Sequence, residues 1–218
     1  MNFEEIKEKL SGYKERGLKI FTTSSFQTHS IVLLHIISRI DKTIPVYFIH
    51  TGYHFPETLY YRDHIAGLLG LNLKNVFSTT AKINQRDATG KLLFASDPDY
   101  CCYLNKVAPL EPILAEHDIW INGVRADQGE VRKSFNIEEK AKFGVTRFHP
   151  MLNWNAKMIY QYLNEYKIPK HPLEDSGYFS IGCEPCTRKW DLDMDSRDGR
   201  WYGLKKTECG LNTELVAK

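Results

Sequence analysis

The chain has 218 residues, 42% of them hydrophobic and 26% charged, enough for one sizeable domain with a real core and a small appendage. A formal net charge of +2 excludes a general electrostatic pull toward nucleic acid or membrane surfaces. Apolar stretches such as SIVLLHII at 30–37 are too short to cross a bilayer. The mixed-charge, amphipathic start, MNFEEIKEKLSGYKERG, lacks the apolar run of a secretory signal. The expectation is a cytoplasmic protein with reduced thiols, whose paired cysteines serve metal or redox chemistry rather than a disulfide framework.

In chain order, LKIFTT (18–23) reads as a strand and THSIVLLHIISRI (28–40) as a helix. PVYFIH (45–50) is a second strand, and PETLYYRDHIAGLLG (56–70) a helix closed by Gly70. NLKNVFS (72–78) and DIWING (118–123) are the third and fourth strands. Strands alternating with helices predict an α/β fold, a parallel twisted sheet with helices on both faces. On such sheets ligands bind beyond the carboxyl ends of strands, where strand order reverses. A further helix lies within NWNAKMIYQYLNEYKIP, stopped before Pro169. From residue 187 the chain loses periodicity and becomes charge-rich, so it divides into an α/β domain (1–186) and a C-terminal tail (187–218). Trp190, Met194, Trp201 and Tyr202 predict that this mobile tail docks on the domain rather than staying disordered.

Three strand ends run into loops suited to anions. TTSSFQTHS (22–30) opens a helix with hydroxyls and free N–H groups, although Ser24, Ser25 and Thr28 would equally serve as ordinary N-caps. HTGYHFPET (50–58) repeats that arrangement, and NGVRADQGEVRKS (122–134) adds arginines. Together they predict one convergent phosphate or nucleotide pocket. On the tail, Arg197 and Arg200 carry guanidinium forks suited to phosphate or sulfate oxygens, within a segment that also reads as solvated mixed charge. His50 and His54 are the two histidines placed near such a pocket; His35 and His64 lie on helix faces.

The five cysteines fall as CC at 101–102, CEPC at 183–186 and a lone Cys209. Cys183 and Cys186 have metal-chelating spacing in a tight turn. Cys101 and Cys102 are adjacent, so on a helix their side chains diverge by about 100°, which suits a multi-iron cluster better than one tetrahedral ion. Spacing alone leaves a [4Fe–4S] cluster, a structural zinc site and buried structural cysteines open. Lys106, four residues after Cys102, falls on roughly the same helical face; it stands either between the cysteines and an anionic ligand or simply in solvent.

Taken together, SSF (24–26), TGYHFPET (51–58), CC…K (101–106), GVRADQG (123–129), SIGCEPCTR (180–188) and ECGL (208–211) resemble the assimilatory sulfonucleotide reductases, over about residues 18–212. The cysteine pattern is similar to that of the cluster-bearing branch that reduces adenylyl sulfate (APS). The resemblance implies an adenine-nucleotide α-hydrolase-like fold and a [4Fe–4S] cluster on Cys101, Cys102, Cys183 and Cys186. It implies substrate contacts from Ser24, Ser25, Thr51, Gly52, Lys106, Arg125, Arg197 and Arg200, with Cys209 as nucleophile. Three positions depart from the family pattern: Gln27 where a Gly follows SF, His50 where an Asp precedes Thr-Gly, and Asn212 where a His ends the Glu-Cys-Gly-Leu motif.

The implied reaction is attack of Cys209 on the electrophilic sulfur of APS, loss of AMP, and an S-sulfocysteine that a thioredoxin- or glutaredoxin-type dithiol resolves to sulfite. The chain has no room for a fused thioredoxin domain, so the reductant is expected to be a separate protein. Glu208 beside the thiol disfavours the thiolate, and Arg197, Arg200 or Lys106 is expected to offset it. A dual or PAPS-directed specificity, an ATP-pyrophosphatase-type nucleotide activator and a non-enzymatic cluster- or metal-binding regulator are the rival readings. Against the second, SSFQTHS lacks the glycines and Asp of an ATP loop. Nucleic acid and membrane are not expected partners, and a homo-oligomer is left open.

Overall fold

The structure is a computed structural model that describes residues 1–193, 199–201, 203, 206 and 208–215. Helix α1 (Phe3–Glu15) begins at Asn2, whose side chain accepts the Glu5 N–H while Glu5 reaches back to the Asn2 N–H, a reciprocal cap that satisfies two otherwise unpaired donors. It buries Ile6, Leu10 and Tyr13, one stripe at helical spacing. Strand β1 (Ile20–Thr23), helix α2 (Thr28–Ile40), strand β2 (Pro45–His50), helix α3 (Pro56–Leu69) and strand β3 (Asn72–Phe77) follow, within a residue or two of the predicted spans. Pro56 opens α3, and Gly70 closes it in the left-handed conformation at φ 63°, which glycine adopts without steric cost.

Between β3 and the next strand lie α4 (Leu93–Ser96), α5 (Pro98–Cys102), a π-helical turn (Tyr103–Val107) and α6 (Ala108–Ala115). Pro109 has no N–H for the helical bond to the carbonyl four residues back, so the helix widens there. This turn carries Lys106. Strand β4 (Ile119–Ile121), α7 (Glu130–Lys133), β5 (Glu138–Lys140), β6 (Thr146–Phe148) and α8 (Ala156–Glu165) complete the core. No described helix is long and apolar enough to cross a membrane.

The six strands lie in the order β3-β2-β1-β4-β6-β5, all parallel except β5, which runs antiparallel to β6. The chain winds outward from β1 to β3 and then returns to the other side of β1 with β4. Strand order therefore reverses between β1 and β4, and a crevice forms at their carboxyl ends. The main core packs α1, α2, α3 and α8 around Ile31, Val46, Phe48, Ile121 and Phe148. β5 and β6 were not visible in the sequence. They are three residues long, and the buried Arg147 interrupts any apolar alternation in β6.

Two histidines of this scaffold are fully buried and neutral. His171 accepts the Leu173 N–H on Nδ1 and faces the Thr58 hydroxyl through Nε2, 3.0 Å away. His149 donates from Nδ1 to the Asn136 carbonyl at 2.9 Å. Burial pulls both down to about 4. In the unfolded chain each titrates near 6.5, so between these values the unfolded state binds more protons and stability falls as pH falls. These two histidines alone are expected to cost about 2–4 kcal/mol and about 5–10 °C in Tm when the pH is lowered from 7 to 5, with His29 and His54, also lowered to about 4, acting in the same direction. A melting curve unchanged between these pH values contradicts this.

Candidate active site

A cavity of about 930 Å³ opens at the switch point and is lined by all three predicted loops. After β1, Ser24 accepts the Phe26 N–H at 3.1 Å and Phe26 takes a left-handed φ of 53° although it is fully buried. For a side chain of that size this conformation costs about 1 kcal/mol or more, and it turns the loop. No side chain caps α2. Ser24 instead holds the loop, and Thr28 accepts the His171 N–H at 3.0 Å. The ordinary capping reading of these hydroxyls therefore does not hold. Gln27 ties this loop to the cysteine loop, accepting the Ile181 N–H at 2.9 Å and donating to Ser25 at 3.1 Å.

After β2, Thr51 is buried, and its hydroxyl accepts the Tyr53 N–H and lies 3.3 Å from the Cys183 sulfur. Gly52, at φ 73°, makes the turn; it lies outside the cavity lining, covered by Lys82, and a Cβ there would stand 2.8 Å from the Lys82 Cδ. His54 lines the cavity, with Nε2 3.1 Å from the Ile49 carbonyl, and burial lowers it to about 4. His50 does not line it; its Nδ1 accepts the Gly52 N–H at 3.3 Å and its ring stacks on Phe77. After β4, Arg125 lines the cavity but pairs with Asp127 at 2.9 Å and meets the His29 Nδ1 at 3.1 Å.

Three other cations in the cavity, Lys106, Lys170 and Arg200, have no ion pair within 4 Å among the described residues, and Lys170 lies over the Tyr160 ring. Lys106 is half-buried on the π turn. Burial opposes its charge, but the sulfurs of Cys183, Cys209 and Cys102 outweigh that and hold its pKa above the ordinary lysine value. Arg200 donates from Nη1 to the Ile181 carbonyl at 3.1 Å, and its Nε is buried without a hydrogen-bond partner among the described residues. The guanidinium lies flat over Gly182, where a Cβ would stand 2.4 Å from Cζ. The chain reaches this position by folding back on the cysteine loop, with Arg188 N–H on the Gly199 carbonyl at 2.8 Å and Trp201 N–H on the Cys186 carbonyl at 3.0 Å. Trp201 is buried as the docking expectation required, while Trp190 is more exposed. Arg197, Met194 and Tyr202 lie outside the described residues.

Cys209 lines the same cavity. Its neighbour Glu208 turns its carboxylate to Arg132, which donates from Nε at 2.7 Å and from Nη2 at 2.9 Å. Arg132, not one of the three cations expected, thus offsets the Glu208 charge. The only sequence signal for it was its place in the arginine-rich loop 122–134.

Cys101, Cys102, Cys183 and Cys186 all line a second, small cavity that shares Thr51, Lys106 and Cys183 with the first. None of the five cysteines is in a disulfide. Burial and the neighbouring sulfurs of Cys102, Cys183 and Cys186 push Cys101 up to about 12, and Cys102 and Cys186 are raised chiefly by burial. Four sulfurs lining one small cavity, with Cys101 and Cys102 buried, are a donor set that a cationic group would relieve. Among the described residues no three His, Cys, Asp or Glu side chains close on a point as one metal ion needs; a zinc site draws four donors to within about 2.3 Å of one centre.

An open, mostly parallel α/β sheet with a cavity at its switch point and a cysteine-lined annex defines a doubly wound α/β protein. Solved structures agree at the level of fold. A phosphoadenylyl-sulfate (PAPS) reductase from Candida auris, in its phosphate complex, superimposes with a TM-score of 0.68 at 24% identity, covering 82% of this chain and 87% of that one. A Candida glabrata FMN adenylyltransferase bound to FAD and pyrophosphate gives 0.60 at 15% identity, covering 92% and 66%. The chain belongs to the phosphoadenosine phosphosulfate reductase domain family, whose signature matches residues 19–189. Among its relatives are the adenosine 5'-phosphosulfate reductases of Rhodococcus erythropolis, 40% identical over 83% of this chain and 74% of theirs, and of Bacillus velezensis, 37% identical over 92% and 87%.

Proposed function

We propose that the protein reduces adenylyl sulfate to sulfite and AMP through an S-sulfocysteine on Cys209, with a thioredoxin- or glutaredoxin-type dithiol as electron donor, in the cytoplasmic assimilation of sulfate. The observation that carries this reading is that Cys209 faces the same strand-end cavity as Lys106, Arg125 and Arg200. The names of the relatives support the substrate and the reaction class. Asp127, Glu174 and Asp175 line the cavity beside five cations, Lys106, Arg125, Arg132, Lys170 and Arg200, so the expected preference for APS over PAPS rests on the names of the relatives.

Ser24, Ser25, Thr51 and Arg125 hold the nucleotide, while Lys106, Arg200 and Arg197 of the tail neutralise the phosphosulfate. The Cys209 thiolate forms a bond to the sulfate sulfur as the sulfur–oxygen bond to AMP breaks, and AMP leaves as the phosphate anion. Lys106 and Arg200 stabilise the charge moving onto that leaving oxygen. The dithiol then attacks the Cys209 sulfur, sulfite departs with the electron pair of the S–S bond, and the second thiol of the partner resolves the mixed disulfide. The net change is one dithiol oxidised, one sulfate reduced to sulfite and two protons released.

Cys101, Cys102, Cys183 and Cys186 would hold a [4Fe–4S] cluster, which four cysteines lining one small cavity suit. When bound, it supplies a charged group that fixes Lys106 beside the sulfate. The test is to purify the protein anaerobically, measure iron and sulfide, and follow sulfite and AMP with APS, PAPS and thioredoxin in competition. Four irons and four sulfides per chain with a clear kcat/KM preference for APS are expected. Stoichiometric zinc, no sulfite from either nucleotide, or a preference for PAPS overturns the corresponding part.

A further inference from the structure

The segment that carries Cys209 is fastened by side chains that the chemistry above does not use. Glu208 is buried, and its carboxylate accepts both forks of Arg132. The same carboxylate accepts the Cys209 N–H at 2.8 Å and the Asn212 side-chain amide at 3.2 Å. Asn212 in turn accepts from the Arg147 Nη2 at 2.7 Å. Arg147 is fully buried on β6, with Trp120 at 4.8 Å on one side and Phe135 at 5.1 Å on the other. Its Nε and Nη1 have no hydrogen-bond partner among the described residues, and Glu139 stands 3.7 Å from it. Asn212 is thus the one hydrogen-bond acceptor that the described residues offer this buried guanidinium.

The backbone fits as closely as the polar groups. At Gly210 a Cβ would stand 3.0 Å from Val107 Cγ2, on the π turn next to Lys106, and 2.5 Å from the Glu214 carboxylate. Leu215 is fully buried in a core cluster with Val107, Leu110 and Trp120, against which Leu211 packs, and its carbonyl accepts the Lys142 N–H at 3.1 Å. Residues 208–215 occupy a built cradle. A tail merely resting on the surface would not bring acceptors to two buried arginines.

We propose that Glu208 and Asn212 are positioning residues, which clasp Arg132 and Arg147 and thereby hold the Cys209 thiol at the cavity. The proposal rests on the reading of Cys209 as nucleophile. Glu208 does not line the large cavity and is spent on Arg132 and on the Cys209 N–H; Asn212 does line it, with its oxygen on Arg147 and its amide on Glu208. The position at which this chain departs from its family's usual His is therefore the link between the tail and a buried cation in the sheet.

The test uses the full anaerobically purified protein and the variants Glu208→Gln, Asn212→Ala and their double. Glu208→Gln preserves size, so folding is retained; melting temperature and visible absorbance verify it for each protein. Cys209 alkylation by iodoacetamide, read by the mass of the tail peptide without nucleotide, is expected to quicken at least about tenfold in Glu208→Gln and severalfold in Asn212→Ala. Turnover should show kcat lowered about 10–100-fold with KM nearly unchanged, because geometry and not binding is lost. The double variant should fall short of the product of the singles, since both open one clasp. Unchanged alkylation rates in both single variants overturn the proposal. Persistent sulfite formation by Cys209→Ser would instead overturn the reading of the nucleophile, whatever the alkylation rates.

Discussion

Cys209→Ser is expected to lower sulfite formation by on the order of 10³-fold or more, while nucleotide affinity stays within about threefold of the wild type and the visible absorbance is unchanged. The reason is a division of labour among five cysteines. Four line the small cavity beside Lys106, and Cys209 alone of the five faces the large cavity without lining the small one. A serine hydroxyl remains almost entirely protonated at neutral pH and forms no bond to sulfur that a dithiol can exchange. Affinity should survive, because the strand-end loops proposed to hold the nucleotide belong to the α/β sheet domain and not to the segment that carries Cys209. Steady-state assays of sulfite release and equilibrium binding of APS check both halves. Turnover by the serine variant within about tenfold of wild type contradicts the assignment.

The second large effect is expected at Lys106. Lys106→Met should lower kcat/KM by about 10²–10³-fold, with Lys106→Arg recovering part of it. This lysine lies on the π turn, lines both cavities and interacts with the sulfurs of Cys183, Cys209 and Cys102. Burial opposes its charge, but those sulfurs outweigh that and hold its pKa above the ordinary lysine value, so it is a cation at neutral pH. Removing it leaves Arg200 and Lys170 as the cavity cations without an ion pair among the described residues. A kcat/KM within about threefold of wild type would show that Lys106 neither touches substrate nor tunes the cysteines.

The strand–helix alternation was legible because each of the first three strands is bounded by turn chemistry, such as Pro56 and Gly70 around α3. The switch point followed from that alternation, and the three strand-end loops do meet on one cavity. The two short strands β5 and β6 were hidden because three residues carry no periodicity and Arg147 sits where an apolar residue would mark burial. Lys106 was ambiguous between solvent and site, since a four-residue spacing fixes a face of a helix but not what covers it. The partners of the tail were the least legible. Arg132–Glu208 spans 76 positions and Arg147–Asn212 spans 65, and long-range pairing of charged side chains leaves no local pattern. Gln27 was visible as a departure from the family, but its link to the Ile181 N–H depends on the fold that brings the two loops together.

The central claim, that one cysteine of the tail makes and breaks the bond to sulfur, is tested most directly by a single turnover. Wild-type protein is mixed with excess APS in the absence of any dithiol, quenched, digested and weighed peptide by peptide. The account predicts one AMP released per chain and the mass of one SO₃ group added to the peptide containing Cys209, both lost as sulfite and free thiol on adding thioredoxin. AMP release without an adduct, or an adduct on Cys101, Cys102, Cys183 or Cys186, would contradict it.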